Sequence, residues 1–84
     1  MSKQKMELTP QINTDAILLA IKEKYQDEDI IDIDGVKIEF KDRWVHLRKS
    51  NTEPIIRIYS EAPSSEEALQ LGKEIITDIK SIIG

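Results

Sequence analysis

The hydrophobic pattern divides the chain into three regimes. From Asn13 onward apolar residues recur at helical spacing, with Ile17, Leu18, Ile21 and Tyr25 forming one stripe. Asn13 or Thr14 can cap the first turn, and Asp15 complements its dipole. The acidic run from Gln26 to Asp29 ends this helix. From Ile30 to Ser60 the period changes to two, the mark of half-buried strands. After Ala62-Pro63 the helical period returns. Ser64 with Glu67 makes a capping box, and Ala68, Leu69, Gly72, Ile75, Ile76, Ile79, Ile82 and Ile83 trace an apolar stripe. Gly72 inside that stripe marks close packing on the sheet, because a helical glycine otherwise costs about 1 kcal/mol. Residues 1–12 are polar, contain Pro10 and read as a linker or frayed end.

The strand register follows from the turns. Asp34-Gly35 is a two-residue hairpin signal, and centring the turn there pairs Ile33 with Val36, Asp32 with Lys37 and Ile31 with Ile38. A second turn at Asp42-Arg43 pairs Lys41 with Trp44 and Ile38 with Leu47. Continuing, Arg48 meets Ile55, His46 meets Arg57 and Trp44 meets Tyr59. The buried face is then Ile31, Ile33, Val36, Ile38, Phe40, Val45, Leu47, Ile56 and Ile58, while Trp44, His46, Arg48, Ile55, Arg57 and Tyr59 share the other. The expected fold is α+β: a four-stranded antiparallel meander with an N-terminal and a C-terminal helix packed on one face, over 13–84.

Composition narrows the class. Eighty-four residues make one domain, 39% hydrophobic and 33% charged. The absence of cysteine excludes disulfides and thiolate metal sites. No apolar run approaches the roughly 20 residues that span a bilayer, and MSKQKMEL lacks the apolar core of a signal peptide. A cytoplasmic, membrane-free protein is expected. The net charge of −4 disfavours nucleic acid, whose binding draws on a basic surplus. Attraction for anions must therefore be local, and Arg43, His46, Arg48, Lys49 and Arg57 gather around one stretch.

That stretch, RKSNTEPIIR from Arg48 to Arg57, is the candidate site. Guanidinium forks match phosphate oxygens, and the small donors Ser50, Asn51 and Thr52 let backbone amides approach an anion. The register puts Arg48 and Arg57 on one face near one end of the sheet. Glu53 would repel phosphate unless turned aside, so it is expected to orient the loop or contact a hydroxyl. The competing reading is a six-residue hairpin loop with ordinary surface charge. Elsewhere, Asp32-Ile33-Asp34-Gly35 lacks the further oxygen ligands of a calcium loop, so no metal is expected there. A Ser50–His46 nucleophile pair lacks a carboxylate placed to orient the imidazole, and no catalytic residue is assigned. Trp44 and Tyr59 form a cross-strand aromatic pair suited to stacking or to a partner domain.

RKSNTEPIIRIYSEA, preceded by DGVKIEF and WVHL, resembles the C-terminal domain of the α-D-phosphohexomutases, most of all bacterial phosphoglucosamine mutases. That family's loop runs Arg-x-Ser-Asn/Gly-Thr-Glu/Thr-Pro with another arginine in the next strand. The matching residues are Arg48, Ser50, Asn51, Thr52, Glu53, Pro54 and Arg57. The resemblance implies a fold like that of the TATA-box-binding protein. It also implies a four-domain parent that interconverts hexose 6-phosphate and hexose 1-phosphate. Phosphoserine in the first domain, Mg2+ in the second and a sugar-reading loop in the third would serve that chemistry, while this domain clamps the phosphate that is not reacting. None of those other motifs occurs in the chain. It is thus expected to be an excised, catalytically inactive domain whose partners are a phosphosugar and the remaining domains. The alternative is a stand-alone phospholigand-binding or protein-interaction module of the same fold.

Overall fold

The computed structural model describes residues 1–33, 35–50 and 52–83. They form, in chain order, β1 (Ser2–Glu7), α1 (Thr14–Lys24), β2 (Asp29–Ile31), β3 (Val36–Glu39), β4 (Trp44–Lys49), β5 (Ile55–Glu61) and α2 (Ser65–Ile83). All strands are antiparallel in the order β1-β5-β4-β3-β2. The α+β class holds, but the sheet has five strands rather than four. The extra strand is the segment expected as linker, which pairs with β5 from Ser2↔Ser60 to Glu7↔Ile55. Its period-two alternation carries polar residues on both faces, which hid it from a search for apolar alternation. Strand pairing and the burial of Leu8 hold it in place.

Both helices lie over one sheet face, α1 against β3 and β4, α2 against β5 and β1. Asn13 caps α1 by accepting a hydrogen bond from Ala16 N at 3.1 Å, and Ser64 Oγ accepts from Glu67 N at 3.1 Å ahead of α2. Ile17, Leu18 and Ile21 from α1 and Leu71, Ile75 and Ile79 from α2 close on Ile38, Val45, Leu47, Ile56 and Ile58. The buried stripe of α2 is rotated from the expected one. Leu71 is buried, whereas Leu69, Ile82 and Ile83 are exposed. Gly72 does mark close packing: an added Cβ would lie 2.2 Å from Gln4 Nε2 and 3.3 Å from Ser60 Oγ. Ser60 is fully buried and donates to Ala68 O at 2.6 Å, tying β5 to α2. At the far ends of the helices, Tyr25 donates to Asp78 and also packs edge-on to Phe40.

Three turns differ from expectation, with unequal consequences. The β3–β4 turn centres on Lys41-Asp42, closed by Phe40 N donating to Arg43 O at 2.8 Å. Moving a turn centre by one residue moves the pairing by two, so Ile38 meets Val45 rather than Leu47 while the faces are kept. The β4–β5 loop is likewise shorter than expected, with Ser50 N donating to Ile55 O at 3.2 Å. The β2–β3 connection is longer, and Ile30 rather than Ile31 meets Ile38. That odd slip reverses the faces of β2, so Ile31 and Ile33, expected in the core, are 42% and 92% exposed. Gly35 lies just ahead of β3, beside β4. It has φ +77, and a Cβ would lie 2.2 Å from Leu47 O, so this backbone sits directly on β4. Asp34, the other half of the expected turn, lies outside the described residues.

Candidate functional site

Strand alternation builds the site. With Arg48 directly opposite Arg57 and Arg57 directly opposite Lys5, three cations form a row across β4, β5 and β1 on the face that neither helix covers. The expected partners, Ile55 for Arg48 and His46 for Arg57, are each displaced by two residues. The conclusion that both arginines share one face and one end therefore survives, and it tightens into direct opposition. Like charges placed opposite each other destabilise a ladder. This row is thus a local cost that packing alone does not explain. Gly35 packs on Arg48, whose Cγ would be 3.2 Å from a Cβ at that position.

The open face is graded in charge. Beyond the arginine row lies Lys37–His46–Tyr59–Lys3, and beyond that Asp29–Glu39–Trp44–Glu61. Acids are thus concentrated at the end remote from the β4–β5 loop, although Glu7 stands opposite Ile55 near it. Of the five basic residues expected around the loop, Arg43 turns to Asp42 at 2.9 Å and Glu67 at 3.8 Å, at the opposite end of the sheet. Lys49 projects to the helix-covered side and binds Asp15 at 2.8 Å. His46 stays on the open face, one row from the arginines, between Lys37 and Tyr59 rather than between Glu39 and Arg57. Trp44 and Tyr59 are not opposite each other. Trp44 pairs with Glu39 and Glu61, and the Lys37 ammonium lies 4.8 Å from its ring centroid.

Within the loop, Ser50 is half-buried and organises the backbone. Its Oγ accepts from Thr52 N and from Glu53 N, both at 3.3 Å, with Thr52 Oγ1 also at 3.3 Å. Two nearby amides thereby converge on the Ser50 hydroxyl oxygen, which closes the loop. Glu53 O accepts from Ile55 N at 2.8 Å, and Pro54 O accepts from Leu8 N at 2.7 Å, tethering the loop to the end of β1. The Thr52 and Glu53 side chains are exposed, as are Arg48 and Arg57. The Glu53 backbone thus helps shape the loop. Asn51 lies outside the described residues. The sequence reading missed Lys3 and Lys5, and the signal that would have found them is the alternation of Lys3, Lys5 and Glu7 with Ser2, Gln4 and Met6.

Chemically the site offers charge and hydrogen-bond donors. Among the described residues, no group of three His, Asp or Glu side chains could hold a metal ion, and no helix is long and apolar enough to cross a membrane.

Comparison with known proteins agrees with this geometry. Residues 4–78 match the family model of the phosphoglucomutase/phosphomannomutase C-terminal domain. A phosphoglucosamine/phosphogalactosamine mutase of Sulfurisphaera tokodaii is 40% identical over 83 residues, covering 96% of this chain and 17% of the relative. A probable phosphoglucosamine mutase of Methanopyrus kandleri is 38% identical over 77 residues, covering 92% of this chain and 16% of its own. A phosphomannomutase of Methanocaldococcus jannaschii is 37% identical over 67 residues, 80% of this chain and 14% of the relative. The chain thus spans about one sixth of the length of these relatives. It belongs to the phosphoglucomutase/phosphomannomutase C-terminal domain family.

Proposed function

We propose that this chain is the phosphate-clamping domain of a phosphohexomutase that interconverts hexose 6-phosphate and hexose 1-phosphate, with an amino sugar phosphate the favoured substrate. The direct opposition of Arg48 and Arg57 beside the Ser50 loop carries the reading. Two guanidinium forks can engage the same phosphoryl group from two strands, beside a loop whose Thr52 and Glu53 amides close on Ser50 Oγ. Ser50 sets the amides, and Asn51 and Thr52 would complete the loop's donors. Glu53 would meet a sugar hydroxyl, since its carboxylate disfavours contact with phosphate.

Such a site reads charge and shape rather than sugar identity. It therefore suits a domain that must hold phosphate in either orientation of a substrate that turns over between two transfers. The amino-sugar preference rests on the names of the relatives, which are mostly phosphoglucosamine mutases. Transfer itself, with the Mg2+ implied for the full-length enzyme, would be the work of other domains in a cytoplasmic parent. The isolated chain would hold phosphosugar weakly, in the millimolar range, and would not turn it over. Titration with glucosamine 6-phosphate followed by amide shifts tests this. Residues 48–57 should move first, whereas shifts centred on Trp44 and Glu61 with a silent loop would exclude the clamp.

A further inference from the structure

β1 places two lysines beside the arginine row that the loop motif does not account for. Lys5 stands opposite Arg57 and Lys3 opposite Tyr59, both exposed on the open face. With Gln4, Arg57 and Tyr59 they line a recess of about 290 Å³. Among the described residues four of the other lysines are partnered, whereas Lys41, Lys73 and Lys80 also form no ion pair but lie in the β3–β4 turn or on α2, away from this row. Lys22 pairs with Asp32, Lys24 with Asp78 at 2.9 Å and Lys49 with Asp15 at 2.8 Å. Lys37 is held by Glu39 at 3.9 Å and by the face of Trp44. Among the described residues, Lys3, Lys5 and Arg57 form no ion pair. In a chain with sixteen acidic and twelve basic side chains, three cations without carboxylates adjoin one another around a single recess.

Resting on the clamp reading, we propose that Lys5, with Lys3 behind it, is part of the anion site, so that β1 carries a third cationic contact to the bound phosphate monoester. Adjacent strands lie about 4.8 Å apart, so the row from Arg48 through Arg57 to Lys5 spans about 10 Å. A phosphoryl group seated between the arginines leaves its outer oxygens within reach of an ammonium on a flexible four-carbon stem. Lys3, one row further from the loop, meets the portion of the ligand that extends over the recess beside Tyr59. The carboxylate of Glu7, on the same face next to the loop, opposes the anion and limits how far it shifts along β1.

The test is titration of the 84-residue chain with inorganic phosphate at low salt, read by backbone amide shifts. In the wild type, residues 48–57 and the amides of Lys3 and Lys5 should respond together. Lys5→Gln and Lys3→Gln should each weaken phosphate by about two- to fivefold, the range of a single exposed charge contact. Lys41→Gln, the same charge change in the β3–β4 turn, should leave the affinity unaltered, and Glu7→Gln should tighten it. Equal effects of Lys5→Gln and Lys41→Gln would reduce the contribution to net charge and overturn the proposal. So would response at 48–57 with Lys3 and Lys5 silent, which leaves the clamp standing. A silent 48–57 loop would remove the clamp and this extension with it. Response of the recess to polyglutamate but not to phosphate would identify a protein-docking surface and also overturn it.

Discussion

Arg48 and Arg57 face each other directly across β4 and β5, on the side of the sheet that the two helices leave open. Each also has a distinct neighbour: Gly35 lies on Arg48, and Lys5 stands opposite Arg57. Arg57→Lys keeps the charge but loses the planar fork. It should therefore weaken phosphate binding by about three- to tenfold, the loss of one charge-assisted bond of roughly 1 kcal/mol. Thermal stability should be unchanged, and amide-shift titration with a parallel melt separates the two effects.

Ser50→Ala tests whether the loop is built around one hydroxyl. It removes the acceptor for Thr52 N and Glu53 N at once. Because both amides are near water, the stability cost should be small, about 0.5–1.5 kcal/mol. The amide shifts of residues 52–54 should move substantially in the free protein, and phosphate affinity should fall. Unmoved loop amides would show that Ser50 does not organise the turn.

Gly35→Ala probes the support beneath Arg48. The position combines φ +77 with a Cβ position only 2.2 Å from Leu47 O, a backbone atom that cannot rotate away. The substitution should cost more than about 2 kcal/mol in urea denaturation, above the 1–3 kcal/mol scale of left-handed strain alone at its lower end. It should also disturb the amides of Leu47 and Arg48.

Removal of residues 1–8 tests the fifth strand. It deletes the ladder with β5 and the burial of Leu8, together worth more than about 3 kcal/mol, a large part of the stability of a small domain. The truncated chain should lose its cooperative urea transition or shift it strongly downward. A truncation as stable as the full chain would return this segment to the status of a linker.

Tyr25 gives a pH signature independent of the anion site. Burial first, and then the hydrogen bond to Asp78, push its phenol well above the ordinary tyrosine range. The folded state therefore retains a proton that the unfolded chain releases near pH 10. Its stabilising contribution is complete below about pH 10 and is lost as the pH rises toward the folded value. Tyr25→Phe should cost about 1 kcal/mol at neutral pH and flatten the alkaline loss of stability, measured by denaturation from pH 8 to 11.

Legibility in the sequence followed burial. Where one face of a strand is wholly aliphatic, as in Val45-x-Leu47 and Ile56-x-Ile58, alternation alone assigned the faces correctly, and turn errors of one residue did no harm. Where two registers bury comparable side chains, as at Ile30, Ile31 and Ile33, alternation does not choose between them. β1 escaped because the face it turns inward carries Ser2 and Gln4 ahead of Met6. The loop was legible through its residue types, but the exact partner of each arginine depended on loop length, which composition does not determine.

The most direct test is a double-mutant cycle on phosphate affinity between Arg48 and Arg57. If both guanidinium groups hold one phosphoryl group, Arg48→Ala and Arg57→Ala should each weaken binding, and their effects should be non-additive by about 1 kcal/mol or more. Strict additivity, or a phosphate affinity indifferent to either substitution, would contradict the clamp.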